Sequence, residues 1–252
     1  MGMTLNKKQG KQLTMSKKYR IEGTALIFND DVISITADDL HDDYIDLNDE
    51  FKNITSIIIP NSVTKIGQHA FSKCKSLESI IIPDSVTEID GFAIAGCKKL
   101  ENITIPNSVT EIGVSAFATC TSLLSITIPD SVIEIGERAF EKCISLISMT
   151  IPDSVTEIGE SVFEECEKLE TVTIPDSVIM IGDWAFSDCE RLKNIIIPDS
   201  VIEIGDYSFK HCPNLTIQCT KWSYAERYAK KFDFPCKIIK DSKSKSDFGH
   251  DT

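Results

Sequence analysis

The sequence lacks the features that would place the chain in a membrane or on nucleic acid. It has no uninterrupted run of about 18 apolar residues, the length that a helix needs to cross a bilayer. Its 39 acidic residues outnumber its 26 basic residues, which gives a net charge of −13 at pH 7. Nucleic-acid phosphates need a basic surface, which this composition does not provide. We therefore expect neither membrane insertion nor nucleic-acid binding, and we attribute the acidity to a surface that resists aggregation.

Signatures of catalysis are also scarce. The chain has four histidines, and none lies in an H-E-x-x-H motif or beside a motif nucleophile. Most glycines are isolated, so no phosphate-binding loop is apparent. Catalysis usually needs unlike groups that converge on one place, whereas this sequence copies the same groups at regular intervals. We predict a protein that is not an enzyme and has no cofactor.

Two metal sites are conceivable and neither is favoured. His211, Cys212, Cys219 and Cys236 gather near the C-terminal end and could in principle bind zinc, but they contain no C-x-x-C pair. Aspartates recur after the prolines, but one carboxylate per repeat is too sparse for a calcium loop. The sequence therefore predicts no metal site.

What the sequence does have is a repeat of constant length, in which equivalent residues recur at every twenty-third position. Seven cysteines, which we call the cysteine ladder, recur with this period. A leucine follows each of these cysteines by three residues, and a phenylalanine precedes each by three residues, except that Ile94 takes its place once. A fixed period of about 20–30 residues indicates a solenoid, in which each coil packs on its neighbours. Proline and cysteine mark the seven repeats at Pro60, Pro83, Pro106, Pro129, Pro152, Pro175 and Pro198, and at Cys74, Cys97, Cys120, Cys143, Cys166, Cys189 and Cys212.

Each repeat can be divided into two extended segments and a bend. In one copy, Leu77, Ile80 and Ile82 fit the L-x-x-L-x-L pattern of a strand whose alternate residues point inward. A proline then ends the strand, and a valine and an isoleucine return to the core as a second short extended segment. The bend that follows is expected to need φ > 0, because glycine fills it in all repeats but one, at Gly67, Gly113, Gly136, Gly159, Gly182 and Gly205, with Asp90 in the second repeat.

The bend leads into a segment with helical spacing, such as GERAFEKC. Ala139, Phe140 and Cys143 can share the inner face of a short helix there. The ladder cysteines should then point the same way into one core, where parallel side chains fit disulfide geometry poorly. We predict reduced thiols in the ladder. Cys219 and Cys236 lie outside it and are the only plausible pair.

Both ends carry sequences that could close the solenoid. The runs IEGTALIF and VISIT, separated by Asn29-Asp30-Asp31, predict a hairpin over the first coil. Residues 37–48 are acidic and fit a loop or a short helix. After the last repeat, residues 215–219, 223–229 and 234–239 predict a strand, an amphipathic helix and a final strand. Such ends protect the core and the strand edges that a bare solenoid would expose.

The repeat unit LxxIxIPxSVxxIGxxAFxxC resembles the BspA-like leucine-rich repeat, also called the type 5 or Treponema-type repeat, over roughly residues 54–215. The closing strand, helix and strand resemble that family's C-terminal cap. The resemblance implies a right-handed, curved leucine-rich-repeat solenoid with short helical or 3-10 convex segments. It also implies a non-enzymatic protein that binds other macromolecules, since bacterial members are typically surface-attached or secreted and many protist members are surface antigens.

These observations divide the chain into five parts. We expect a disordered tail over residues 1–18, an N-terminal cap over 19–53, the repeat array over 54–215, a C-terminal cap over 216–239 and a second disordered tail over 240–252. The first twenty residues have no apolar segment of the kind found in secretory signals, which predicts a cytoplasmic protein. The family resemblance instead implies the cell surface or the extracellular space.

The outward positions of the main strands are the candidate binding surface. They are polar and uncharged in the middle of the array, and we predict that they bind a protein partner and that the chain is a monomer. The threonines and isoleucines in these columns have a second explanation, because β-branched residues suit strands whether or not they bind a partner. The aromatic residues Phe92, Trp184 and Tyr207 form another candidate column, provided that they do not cover the core. The predicted protein-binding residues are Ser79, Ile81, Asn102, Thr104, Ser125, Thr127, Ser148, Thr150, Thr171, Thr173, Asn194 and Ile196.

Overall fold

The computed structural model describes residues 18–37, 51 and 53–239. The chain enters the fold through an antiparallel hairpin of β1 (Tyr19–Glu22) and β2 (Ala25–Phe28), followed by β3 (Ser34–Ile35). Strand β2 pairs in parallel with the first repeat's main strand, and β3 pairs with its second strand. The N-terminal segment therefore forms a coil of its own, on which the repeats stack.

Every repeat contributes one strand to a main sheet and one to a second sheet. The main strands are β4 (Ser56–Ile58), β6 (Ser79–Ile81), β8 (Asn102–Thr104), β10 (Ser125–Thr127), β12 (Ser148–Thr150), β14 (Thr171–Thr173) and β16 (Asn194–Ile196). The second strands are β5 (Lys65–Ile66), β7 (Glu88–Ile89), β9 (Glu111–Ile112), β11 (Glu134–Ile135), β13 (Glu157–Ile158), β15 (Met180–Ile181) and β17 (Glu203–Ile204). All paired strands of neighbouring coils are parallel. Strand pairing is interrupted between β6 and β8, between β10 and β12, and between β11 and β13, so each sheet is a stack of shorter hydrogen-bonded segments.

The strands stack without slippage because every repeat has the same length. Ile126 lies opposite Ile103, and Ser125 lies opposite Asn102, so equivalent residues form straight columns. From β6 to β16, the middle residue of each main strand is buried and its two neighbours are exposed, as in β8, where Ile103 faces the core. The inward and outward assignments made from the sequence are confirmed, and the chain is a leucine-rich-repeat solenoid.

The phenylalanine column forms a stack of rings through the core. Phe117, Phe140, Phe163, Phe186 and Phe209 are fully buried, and consecutive ring centroids lie 5.3 to 5.6 Å apart with nearly parallel planes. The cysteines beside them are buried too, and each bonds to the preceding coil. For example, the thiol of Cys143 donates to the carbonyl oxygen of Phe117 at 3.3 Å. The side chains that the repeat pattern assigned to the core do lie there.

In the first six repeats, the serine that follows the proline by two residues joins neighbouring coils. The hydroxyl of Ser85 donates to the carbonyl oxygen of Val63 at 2.6 Å, and Ser131 and Ser177 make the equivalent bond at 2.7 Å. Ser200, in the last repeat, has a buried hydroxyl without a hydrogen-bond partner. The serine of the PxSV motif is therefore a link between coils as well as a turn residue.

The glycine column does not have the positive φ that the sequence predicted. The described glycines with positive φ are Gly23 and Gly96, which lie outside the column, and Asp90 has no positive φ either. At five of the six column glycines, glycine is needed instead because the backbone of the preceding coil lies close by, whereas a Cβ on Gly159 would have its nearest neighbour at 3.7 Å. A Cβ on Gly136 would lie 2.5 Å from the backbone nitrogen of Val114, which no real Cβ contact allows. The prediction was wrong about conformation, and the physical reason for glycine is a close approach between coils.

The segment expected to be a short helix is a run of turns. Ala139, Glu141 and Cys143 donate their backbone N–H groups to carbonyls three residues earlier, as in a 3-10 turn. Arg138 and Lys142, however, have φ values of +57° and +59°, which no helix contains. Their N–H groups bond to the next coil, at 2.9 and 2.8 Å. Backbone hydrogen bonds between coils thus take the place of the bonds that would continue a helix. Ala139, Phe140 and Cys143, the predicted inner face, are nevertheless buried.

The N-terminal hairpin turns at a different place from the one predicted. The register pairs Glu22 with Ala25, so the loop is Gly23-Thr24 rather than Asn29-Asp30-Asp31. Gly23 has a φ of +63° and stands first in this two-residue loop, as tight hairpins require. The VISIT run contributes β3 to the second sheet. Of the acidic stretch predicted as a loop or short helix, residues 38–48 lie outside the described residues.

The C-terminal end is closed by β18 (Thr216–Cys219), α1 (Tyr224–Lys231) and β19 (Cys236–Ile238). Ser223 caps α1 by accepting the N–H of Glu226, which identifies the start of the helix. Tyr228 of α1 meets Phe209 edge-on at 6.0 Å, so the helix covers the last ring of the stack. The division of the chain into five parts stays a prediction, and its two tails lie almost entirely outside the described residues.

Candidate binding face

The outward side of the main sheet, which we call the sheet face, consists of two columns of exposed side chains. All twelve residues predicted from the sequence lie on it and are exposed. The parallel register places Ser125 beside Asn102 and Thr127 beside Thr104, and the same alignment holds for β12, β14 and β16. The structure thus brings the predicted residues together on one surface.

The two columns carry no charged side chain from β4 to β18. Some polar groups bond along a column. The hydroxyl of Ser125 donates to Oδ1 of Asn102 at 3.0 Å, and Nε2 of Gln218 donates to Oδ1 of Asn194 at 3.2 Å. The centre of the face presents Thr127, Thr150 and Thr173, which offer one methyl group and one hydroxyl in each of three successive coils. Such a surface can bury apolar area and still exchange hydrogen bonds with a partner.

Sequence reasoning missed two apolar residues beside these columns. Leu124 and Ile147 directly precede β10 and β12 and are 39% and 50% exposed. They occupy neighbouring coils, since the N–H of Ile147 donates to the carbonyl oxygen of Leu124 at 3.3 Å. Equivalent positions elsewhere carry polar or charged residues, such as Glu101 and Glu170 on either side. This departure from the repeat pattern is the sequence feature from which the two exposed apolar residues could have been recognised.

Charge borders this apolar pair on the same column. Lys193 Nζ lies 2.8 Å from Glu170 Oε2, and the hydrogen bond from Lys193 is the main cause that lowers the pKa of Glu170. At the other end of the array, Lys99 Nζ lies 3.9 Å from Glu78 Oε1. These pairs are exposed and contribute little to stability. The arrangement resembles an interface with an apolar centre and a polar border.

The second sheet presents a different surface. Glu111 lies opposite both Glu88 and Glu134 in the register of the strands, so carboxylates stack along this side. Lys65 offsets part of this negative charge at one end, where its Nζ lies 2.8 Å from Glu88 Oε2 and 3.0 Å from Asp90 Oδ2. The two faces of the solenoid therefore differ in charge.

The aromatic column predicted as an alternative surface is partly exposed. Trp184 and Tyr207 stack at 4.6 Å between ring centroids, and the Lys210 ammonium lies over both rings at 4.9 and 5.5 Å. Phe92 stacks with His69 at 4.8 Å in earlier coils. These residues hold the positive-φ positions of the turns. Tyr207 and Phe92 are 53% and 36% exposed, so this column also offers aromatic surface to solvent.

The groups that could carry chemistry are dispersed or buried. Burial raises the pKa of the Cys120 and Cys212 thiols to about 12, so these two ladder thiols are poor nucleophiles near neutral pH. His211 pairs with Asp188 at 2.8 Å, and the Cys212 thiol donates to the Phe186 carbonyl oxygen. Within residues 18–37, 51 and 53–239, no three histidine, cysteine or acidic side chains are placed to hold a metal ion. No helix in the same ranges is long and apolar enough to cross a bilayer.

The repeat matches an established family model. The model of the BspA type leucine-rich repeat region matches residues 49–170 and 156–240, with six copies. The chain belongs to the BspA-type leucine-rich repeat family. The columns described above are thus the outward side of a BspA-type array. No curated protein sequence matches the chain.

Solved structures of leucine-rich repeat proteins from bacteria are similar to this BspA-type array. A protein of Bacteroides ovatus is 30% identical with a TM-score of 0.57, over 86% of this chain and 64% of the other. This chain therefore aligns with less than two thirds of that relative. A T. pallidum protein is 25% identical with a TM-score of 0.62, over 87% of both chains. A leucine-rich cell surface protein of Faecalibacterium prausnitzii is 28% identical with a TM-score of 0.50, over 71% of this chain and 63% of the other.

Proposed function

We propose that this chain is a non-enzymatic scaffold that binds a protein partner through the sheet face. Solenoids of stacked repeats generally use an extended repeated surface for binding. The observation that carries the proposal is the centre of the face, where Leu124 and Ile147 lie exposed beside the uncharged columns of β10 and β12. Interfaces are depleted of charge at their centre and polar at their border, as this surface is.

The non-enzymatic part of the proposal is supported by the repetition itself. The serine after the proline recurs in every repeat, and the threonine and glutamate columns are filled in most repeats, so unlike catalytic groups do not converge. The monomeric state is supported by the covered ends of the solenoid. The β1–β2 hairpin lies at one end and α1 at the other, so the two terminal coils do not present their cores to a second copy.

Lysine substitutions test the sheet face. Thr127→Lys with Thr150→Lys places two long cations at its centre, on exposed positions that leave the core unchanged. The matched control is Thr110→Lys with Thr156→Lys, which makes the same change at exposed threonines next to the second-sheet strands. The wild-type protein and the two double variants are used to capture partners from lysate and from the secreted and surface fractions of the source organism. The captured proteins are identified and compared by quantitative mass spectrometry.

We expect at least one protein to be retained by the wild type and by the control pair but lost with the sheet-face pair. Affinity for that protein, measured with purified components, should fall by roughly tenfold or more, because the lysines would be buried without partners. Equal retention by all three proteins, with unchanged circular dichroism, would exclude the sheet face as the binding surface.

The apolar pair is tested separately. Leu124→Ser with Ile147→Ser removes the exposed apolar groups and adds no charge. We expect a weaker affinity for the same partner, by about tenfold if both side chains are buried on binding. Unchanged affinity would confine the interface to the threonine columns.

A cell-surface adhesin or surface antigen is the second candidate, and one observation favours it. The similar Faecalibacterium prausnitzii structure is that of a leucine-rich cell surface protein. Protease treatment of intact cells, followed by immunoblotting of the untagged native protein, separates the two candidates. Loss of the protein from intact cells supports the surface function, whereas full protection together with a cytoplasmic marker rejects it.

A further inference from the structure

We propose that Cys219 and Cys236 are a redox-modification site whose disulfide locks the C-terminal cap onto the solenoid. Their Sγ atoms lie 3.4 Å apart, in contact but not bonded. Strands β18 and β19 pair in parallel with Ile217 opposite Cys236 and Cys219 opposite Ile238, so both thiols lie on the same side of the pair. This inference is independent of the proposed binding function.

The pair differs from the cysteine ladder in its access to solvent. The seven ladder thiols are buried, and those from Cys97 to Cys212 donate to carbonyl oxygens of the preceding coil. Their burial restricts the access of small oxidants while the protein is folded. Cys236 is the one exposed cysteine, and it lies in contact with the buried Cys219. Oxidation should therefore begin at this pair.

The two thiols have different roles in the exchange reaction. The Cys236 thiolate attacks a small disulfide such as oxidised glutathione, forms a mixed disulfide and releases one glutathione thiolate. Burial raises the pKa of Cys219 to about 12, so Cys219 is a poor first nucleophile but is held beside the mixed disulfide. It loses its proton to water, attacks Cys236 Sγ and releases the second glutathione thiolate. Two protein thiols are thus oxidised as one glutathione disulfide is reduced.

Bond formation needs a small movement that the edge strand can make. The sulfur atoms must approach from 3.4 Å to about 2.05 Å. Strand β19 has three residues, all exposed, and within the described residues it pairs only with β18. A shift of about 1.4 Å in this strand disturbs one ladder of hydrogen bonds and no buried side chain of its own.

The bond would close a loop around the cap helix. Residues 219 and 236 flank α1, whose Ala225, Tyr228 and Ala229 are buried against the last coil. Phe234, in the same loop, meets Phe209 at 6.2 Å. Linking the two strands therefore limits the opening of the segment that covers the end of the phenylalanine stack.

The test uses the full chain in glutathione buffers of increasing oxidised fraction, without oxygen. Samples are quenched in acid, alkylated under denaturing conditions, digested and analysed by mass spectrometry. We expect a Cys219–Cys236 cross-linked peptide to become the main product, with all seven ladder cysteines recovered as alkylated thiols. Hydrogen exchange of the β19 amides should be about tenfold slower or more in the oxidised protein than in the reduced protein.

Two single variants separate the steps. Cys236→Ser, at an exposed position, should fold normally and form no disulfide in the same buffers. Cys219→Ala should stop at the mixed disulfide between Cys236 and glutathione. A wild-type protein that accumulates this mixed disulfide without resolving it, or that links other cysteines first, overturns the proposal. So does a cross-link that leaves β19 exchange unchanged, since the cap would then not be locked.

Discussion

Replacing Phe140 by alanine removes the ring at the centre of the aromatic stack. Phe140 is fully buried, and its ring centroid lies 5.5 Å from that of Phe117 and 5.6 Å from that of Phe163. Its own backbone N–H bonds to the next coil at 3.0 Å. The substitution therefore opens a cavity between two coils whose backbones are tied together.

The magnitude follows from this geometry. Truncating a core phenylalanine to alanine generally costs about 3–5 kcal/mol, as the sum of lost transfer free energy and the cavity that remains. Two stacked ring contacts, each worth about 0.5–1.5 kcal/mol, disappear as well. Neighbouring coils cannot close the gap, because hydrogen bonds on the turn side fix their separation. We expect a loss in the upper half of that range.

The measurement is urea-induced unfolding followed by far-ultraviolet circular dichroism. The matched variant is Phe140→Ile, because Ile94 fills the same column in another coil and is fully buried there. Isoleucine should cost clearly less than alanine while giving the same slope with denaturant, which tests that unfolding stays comparable. A loss below about 1 kcal/mol for Phe140→Ala would refute the reasoning that this column is the principal core contact.

Two matched pairs of substitutions test how neighbouring coils are joined. Gly136→Ala should destabilise the protein by about 1–3 kcal/mol, because the added methyl group meets the preceding coil. Gly159→Ala should be close to neutral, because the nearest neighbour of its added methyl group lies at 3.7 Å. Equal midpoints of the two variants in thermal unfolding would contradict the close-approach explanation. Ser108→Ala should cost about 1 kcal/mol for a lost hydrogen bond to the preceding coil. Ser200→Ala should cost nothing measurable in chemical unfolding, because that hydroxyl has no partner, and a similar loss for both serines would show that the bond contributes little.

The periodic part of the fold could be predicted because three independent patterns share one period. That shared spacing places Ile103 and Ile126 in the same column whatever the details of the turn. Alternation along the strand then separates buried from exposed residues, so the sheet face followed from the sequence. These are constraints of register and burial, and a one-dimensional pattern contains both.

The turn side could not be predicted in the same way, because glycine and i+3 spacing each have more than one explanation. Glycine suits positive φ and also suits close packing, and only the position of the preceding coil distinguishes the two at Gly136. The spacing of Ala139 and Phe140 fits a helix, but hydrogen bonds between coils compete with those within one coil. Such competition is decided by tertiary structure, which local patterns do not contain.

The candidate site was predicted only in part for a related reason. The columns of β10 and β12 follow from the repeat, whereas Leu124 and Ile147 are departures from it. In an array of near-identical coils, a departure carries more information about binding than a repeated residue does. Their exposure at the centre of the face became evident only in the folded chain.

The uniform register also bears on how such a chain can change over evolutionary time. Because all repeats have the same length and their paired strands are in register, a gene segment encoding one whole repeat can be duplicated or deleted without disturbing any other coil. Each such event would lengthen or shorten the surface by about 4.8 Å, the spacing of neighbouring strands. The reach of the protein can therefore change in discrete steps through copy number, while point substitutions at the outward positions alter what that reach recognises.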